Sequence, residues 1–178
     1  MKLHVGCGDR IIPGWVHVDA RDLPHVDHVA PVDQLTFCAN DSVTVVYASH
    51  VLEHFARAEV PRVLREWHRV LSPGGILRLA VPNFEALCDV YLRTGSLATI
   101  IGPLYGRQDY ALNHHHNVFD WATLVNQLEA VGFVSCRAWD WRLVEHGHID
   151  DYSQSYIPHM HKDTGQLISL NVEATKRG

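Results

Sequence analysis

The sequence predicts an α/β fold built on a mostly parallel sheet. Six short apolar runs alternate with segments of helical periodicity. One run, Val43 to Ala48, is nearly continuous in apolar side chains, as in a strand covered on both faces. The first run ends at Gly6-Cys7-Gly8, where an α/β sheet lets a ligand approach the backbone. The chain has 178 residues, 47% hydrophobic and 20% charged, so a single domain over residues 1–178 is expected, with a core that needs no disulfide or structural metal.

The elements follow in order. Lys2 to Val5 reads as a first strand and Val16 to Val18 as a second, ending at Asp19. A weak third lies near His28 to Val32, and a fourth covers Ser42 to Ser49. Val60, Val63, Leu64, Trp67, Val70 and Leu71 then form one apolar helical stripe, which Ser72-Pro73-Gly74-Gly75 is expected to stop. Ile76 to Val81 reads as a buried strand ended by Pro82, and residues 84–104 as helix broken at Gly95. Asp120 is positioned as an N-cap, with Phe119 and Leu124 as a hydrophobic staple and Gly132 beyond the C-terminus. Val134, Cys136 and Ala138 alternate with polar residues or Trp139, and so do Ile168, Leu170, Val172 and Ala174 with their neighbours. Such alternation predicts an antiparallel pair with one face less buried. Between them, residues 141–166 form a His- and Tyr-rich insertion, read as a lid-like loop.

Composition narrows the partners. A net charge of −5 gives no basic footprint for nucleic acid. No apolar run approaches the roughly 18 residues that span a bilayer, so no membrane partner is expected. The N-terminal run lacks the apolar stretch of a signal peptide, and the four cysteines contain no C-x-x-C pair, so the expected compartment is the cytoplasm. Fourteen histidines make the charge sensitive to pH near neutrality.

The glycine turn departs from the dinucleotide pattern. The third glycine is replaced by Ile11, and the acid Asp19 follows Gly8 by 11 residues where about 20 are usual. Pro13-Gly14 limits the first crossover to a helical turn, which removes the helix terminus that would favour a pyrophosphate. A ligand with a ribose and no phosphates fits better. Asp19 is placed to accept from both ribose hydroxyls, or else caps a turn. Asp33 either accepts from an adenine amino group, with the Gln34 N–H reaching a ring nitrogen, or is a turn residue.

Leu3 to Gly8, Gly14 to Asp19, Tyr47-Ala48-Ser49-His50-Val51-Leu52-Glu53-His54, Glu66 to Gly75 and Leu79 to Phe84 resemble the successive motifs of class I S-adenosylmethionine-dependent methyltransferases. More narrowly, they resemble a small bacterial "predicted methyltransferase" group with a shortened first helix. Tyr105 to Tyr110, His115 to Phe119 and Glu129 to Phe133 also fit that group, so the likeness covers most of residues 2–140 plus the final strand. The resemblance implies a Rossmann-like seven-stranded sheet of order 3-2-1-4-5-7-6, its last strand antiparallel, with helices on both faces. It implies S-adenosylmethionine as cofactor, S-adenosylhomocysteine as product, and a small molecule or saccharide methylated at oxygen or nitrogen.

On that reading the turn Gly6-Cys7-Gly8, Asp19, Asp33, Gln34 and Ser49 hold the cofactor. Ser49 and His50 end the fourth strand, where cofactor and acceptor meet. His50 is a base or acceptor contact, or else holds a loop; His54 shares its face, and Glu53 is read as structural support. His115, at the start of the capped helix, suits a base facing the cleft. Trp15 and Tyr105 either face the sulfonium or pack the core. His146-Gly147-His148 and His159-Met160-His161 each place two imidazoles two apart, near Asp150, Asp151 and Asp163. Their spacing matches no metal signature, so solvated loop histidines are expected and no metal ligand is assigned. Two rivals remain: a nucleotide-linked oxidoreductase, disfavoured by the missing glycine, and a non-catalytic metal- or cofactor-binding protein with a methyltransferase-like fold.

Overall fold

All six residues of the predicted helical stripe have no solvent exposure in the computed structural model, which describes residues 1–159 and 161–178. The stripe organises one side of the molecule. Helix α1 (Val60–Val70) lays it against the strands β1 (Lys2–Val5), β2 (Val16–Asp19), β4 (Val43–Ser49) and β5 (Leu71–Pro82). Trp67 also donates its indole N–H to the Val32 carbonyl at 2.8 Å, which satisfies the polar edge of a buried ring. Helix α4 (Trp121–Ala130) adds Leu124 and Leu128 to the same core, and strand β6 (Phe133–Ala138) adds Phe133. The Asp120 side chain caps α4 through the Thr123 N–H at 2.7 Å, as expected.

The sheet has seven strands in the order β3-β2-β1-β4-β5-β9-β6, where β3 is His28–Val29 and β9 is Ser169–Lys176. The first five pair in parallel, and β9 runs antiparallel to both β5 and β6. This is the expected order, with β9 as the final strand of the series. Helices α2 (Phe84–Thr94) and α3 (Leu97–Tyr105) flank Gly95 and pack Ala86, Leu87, Val90 and Ile100 against Ile168.

Two expectations are corrected. Ser72 to Gly75 do not separate the helix from the next strand: β5 starts at Leu71, directly after α1, and a register shift between Val43 and Val45 absorbs the irregular stretch. The insertion is not a solvated lid. It forms two 3-10 turns, at Trp141–Leu143 and Tyr152–Gln154, and a short hairpin of β7 (Tyr156–Ile157) and β8 (Gln166–Leu167). Its residues His146, Asp151, Ser153 and Gln154 are buried. Among the described residues no helix is long and apolar enough to cross a membrane.

The insertion is buried because of what the first crossovers lack. No helix separates β1 from β2, β2 from β3, or β3 from β4, which leaves one face of the central strands without its usual cover. Tyr47 and Val45 on that face pack with Ile12, Trp15, Ala80 and Trp139, and with Trp141, Val144 and Ile149 from the insertion. The Tyr47 hydroxyl donates to Asp151 Oδ2 at 2.5 Å, and Trp139 donates to the Leu79 carbonyl at 2.9 Å.

Candidate active site

The carboxyl ends of β1 and β2 meet at the glycine turn. Gly6 and Gly8 adopt left-handed backbone angles, φ +62° and +55°, and a Cβ on Gly6 would collide with the Val51 side chain. Both the Gly6 and Cys7 amides donate to the Val18 carbonyl, at 2.7 and 3.2 Å. The Gly8 amide donates to Asp19 Oδ2 at 2.8 Å, so turn and acid share one spot. Asp19 Oδ1 accepts from the Arg21 amide at 2.9 Å and from Arg21 Nε at 3.2 Å. The Arg21 guanidinium in turn sits 5.4 Å from the Tyr110 ring centre. His25 Nε2 donates to the Gly8 carbonyl at 2.9 Å, since a carbonyl can only accept. Burial, reinforced by Asp19, pushes the Cys7 thiol up to about 12, so Cys7 offers its backbone and an inert thiol.

The other expected cofactor residues are spread around this turn. Asp33 is buried and ion-paired with Arg62, and the Gln34 amide donates to the Pro31 carbonyl at 3.0 Å, so both groups assigned to an adenine hold protein partners. No hydrogen bond joins them to the glycine turn. Ser49 is buried at the end of β4 with its hydroxyl unpartnered.

His50 and His115, 65 positions apart in the chain, come together on Glu53. His50 is a non-glycine residue at φ +54°, a conformation concentrated at functional sites. Its amide donates to the Ala80 carbonyl at 2.8 Å. Glu53 has no solvent exposure; His50 Nδ1 lies 3.3 Å from its Oε1 and His115 Nε2 3.9 Å, and neither carboxylate oxygen makes a hydrogen bond. Burial alone would raise the Glu53 pKa, but the charges of His50, His54 and His115 outweigh it and hold the carboxyl below its ordinary range. Burial lowers the His115 pKa despite Glu53, which keeps that imidazole neutral near pH 7. The chain 114–117 is fixed here because the His116 and Asn117 amides both donate to the Glu53 carbonyl, at 2.8 and 3.2 Å.

Glu53, read from sequence as structural support, is therefore the centre of the histidine cluster. The available signal was an acid inside a short apolar turn, between Leu52 and Phe55, flanked by His50 and His54. Trp15 is core, and Tyr105 is half exposed on α3. His146 corrects the expectation of solvated loop histidines: it is buried between Trp15, Tyr47 and Trp139, while His148 is exposed. Among the described residues neither pair gathers a third metal-ligating side chain; Met160, within the second pair, lies outside them.

Comparison with known proteins bears on the whole arrangement. The family model of the methyltransferase domain matches residues 8–79, from the glycine turn into β5. No curated protein matches the chain. Solved structures share the fold over nearly its full length. One is 1,6-didemethyltoxoflavin-N1-methyltransferase of Burkholderia thailandensis, with bound 1,6-didemethyltoxoflavin and S-adenosylhomocysteine: 16% identity, 99% of this chain and 71% of that one, TM-score 0.60. Another is a SAM-dependent methyltransferase of Archaeoglobus fulgidus, at 14% identity, 98% and 85% coverage and TM-score 0.59. A third is a methyltransferase of Haloferax volcanii solved with the Trm112 methyltransferase activator, at 13% identity, 99% and 82% coverage and TM-score 0.58.

Residues 8–79 thus match a methyltransferase domain, and the chain as a whole has the fold of solved S-adenosylmethionine-dependent methyltransferases. The residues at the turn fit S-adenosylmethionine, the cofactor of methyltransferases that share this fold. The glycine turn brings backbone without Cβ atoms beside the buried Asp19 carboxylate, with the Arg21 side chain lying over it, and the Ser49 hydroxyl is a buried polar group in need of a partner.

Proposed function

We propose that this methyltransferase transfers a methyl group to an oxygen or nitrogen nucleophile of a small molecule or saccharide, with His50 and His115 on the acceptor side. The observation that carries the proposal is the junction of Gly8, Asp19 and Val51. The Gly8 amide holds the Asp19 carboxylate, and Val51, next to His50, packs against Gly6, so the cofactor turn and the histidine cluster adjoin.

S-adenosylmethionine supplies an activated methyl on a sulfonium sulfur, so the protein's tasks are position, exclusion of water and proton removal. Gly6, Cys7 and Gly8 offer backbone to the cofactor, Asp19 its ribose contacts, and Ser49 a hydroxyl. Asp33 and Gln34 approach the base once Arg62 and the Pro31 carbonyl release them. His50 accepts the proton that leaves the acceptor O–H or N–H, and the ionised Glu53 stabilises the imidazolium so formed. His115 lines the acceptor side of the same carboxylate. A hollow of about 420 Å³ lined by Arg57, Asn117, Asp120 and Gln127, tied to Glu53 through the Asn117 amide, is of a size for a small acceptor. Asn117 and Gln127 each carry a buried amide atom without a partner, which a polyhydroxylated acceptor would satisfy. The Burkholderia relative's small-molecule ligand and the net charge of −5 support the same acceptor class.

The test is an acceptor screen with labelled cofactor, paired with calorimetry. S-adenosylhomocysteine should bind at about micromolar affinity with NADH silent, and Asp19→Ala should abolish the binding. His50→Ala and His115→Ala should lower turnover by roughly 10²- to 10⁴-fold while leaving cofactor affinity within a few-fold. Label transfer to no small molecule, or turnover in both histidine variants unchanged from the unaltered chain, would overturn the proposal.

A further inference from the structure

The histidines around Glu53 are held in one protonation pattern by their outer nitrogens. His54 Nδ1 lies 3.0 Å from the His114 carbonyl and His115 Nδ1 lies 2.9 Å from the Pro103 carbonyl. Carbonyl oxygens only accept, so each Nδ1 carries a proton and each ring turns its Nε2 the other way. His50 follows the same rule through a longer chain. The Asn171 amide donates to the Ser153 carbonyl at 3.0 Å, so its Oδ1 faces the Ser169 hydroxyl, which donates to it at 2.8 Å. The Ser169 oxygen then accepts from His50 Nε2 at 3.2 Å, and His50 Nδ1 stands 3.3 Å from Glu53 Oε1.

The Nε2 atoms of His54 and His115 thus stand beside a fully buried carboxylate whose oxygens make no well-formed hydrogen bond, His50 Nδ1 lying nearest at 3.3 Å. Ligating atoms of Glu53, His54 and His115 all lie within 4.8 Å of one another. A buried carboxylate is paired with a cation or coordinates a metal, and two imidazole nitrogens beside this one suit the second role. The outer-nitrogen bonds to backbone carbonyls match the support that metal-bound imidazoles almost always have. Two imidazoles and one carboxylate make up a common three-residue set for zinc and iron, with a further position open.

We propose that Glu53, His54 and His115 bind a divalent transition-metal ion, with zinc as the reference ion. Tetrahedral zinc bonds of about 2.0–2.2 Å set ligand atoms about 3.4 Å apart, so small side-chain rotations close the present spacing. Held there, the ion leaves His50 as the base and His115 as a ligand. Its use in binding and acidifying an acceptor hydroxyl rests on the function proposed above; ion binding itself does not.

The test uses the full chain, stripped with a chelator and dialysed. Calorimetric titration with Zn²⁺ should show one tight site per chain. Co²⁺ should give the intense visible bands of a four-coordinate site with nitrogen ligands. Glu53→Gln and His115→Gln should each weaken Zn²⁺ by at least about 100-fold. S-adenosylhomocysteine affinity in the same variants reports that the fold is intact. His148→Ala, in the insertion, should leave the site unchanged. If the stripped protein binds Zn²⁺ no tighter than Glu53→Gln does, or if binding survives both substitutions and is carried by other histidines such as half-buried His114 and exposed His116, the proposal fails. That failure is distinct from failure of the methyltransferase reading, which would appear as loss of S-adenosylhomocysteine binding in the unaltered chain.

Discussion

Arg21 occupies the carboxylate that a ribose would use. Its guanidinium Nε and its amide both bond Asp19 Oδ1, and the Gly8 amide takes Oδ2. The side chain is the removable part, since it is about one-third exposed and lies against Tyr110. Arg21→Ala is therefore expected to tighten S-adenosylhomocysteine binding several-fold by calorimetry; weaker binding would mean that Arg21 itself holds the cofactor. Gly6 makes the opposite prediction. Alanine there must sit at φ +62° and press into Val51, so Gly6→Ala should cost about 1–3 kcal/mol in chemical denaturation and abolish cofactor binding. An unchanged midpoint would remove the turn from the argument. At this scale the sequence exposes some residues better than others. The glycines and Asp19 are legible because backbone conformation and strand-end position restrict which residues can stand there. The pairing of Asp33 with Arg62 is not, because it joins a loop to α1 across 29 positions.

Among the elements, α1 is legible up to its last turn because its stripe repeats at helical spacing and every stripe residue is buried, although Leu71, read as its end, opens β5. Strand β5 is misjudged at its start. Ser72 to Gly75 carry turn chemistry, yet pairing of Leu71 with Val43 extends the strand through them. The insertion is misjudged more deeply, because polar residues that pair with one another read as solvent-exposed in sequence. Tyr47 and Asp151 are the clearest case: both are buried, and their side chains meet at 2.5 Å from positions 104 apart. Burial, reinforced by the Asp151 charge, raises the Tyr47 pKa well above its usual value, so the hydroxyl stays a donor across the working pH range. Tyr47→Phe removes that donor and leaves a buried carboxylate short of a partner. The expected cost is about 1–3 kcal/mol in thermal or denaturant unfolding. A neutral result would show that Asp151 is served by water, and that the insertion is anchored by its aromatic contacts alone.

The molecule as a whole trades one cover for another. Crossovers without helices expose the face that carries His4, His17 and Tyr47, and the insertion returns Trp139, Trp141 and His146 to it. That substitution has a pH signature. Burial, aided by His17, holds His4 down to about 3, and burial, aided by Arg78, holds His146 down to about 4. Both are neutral in the folded protein, whereas the unfolded chain protonates them near the ordinary value of 6.5. Their contribution to stability is complete above that value and declines as pH falls from 6.5 toward 4, because only the unfolded chain takes up the protons. The unfolding temperature should therefore drop by several degrees between pH 7 and pH 5. Hydrogen exchange should locate the weakening. The amides of Ser153 and Gln154, both bonded to Asp151, should lose protection before those of α1. Neither ring nitrogen of His146 has a partner, so His146→Phe keeps the packing, removes a titrating group and should flatten the pH profile at little cost near pH 7. A profile equally steep in that variant, or protection lost evenly across both faces of the sheet, would separate the acid response from the insertion and leave the exposed histidines to account for it.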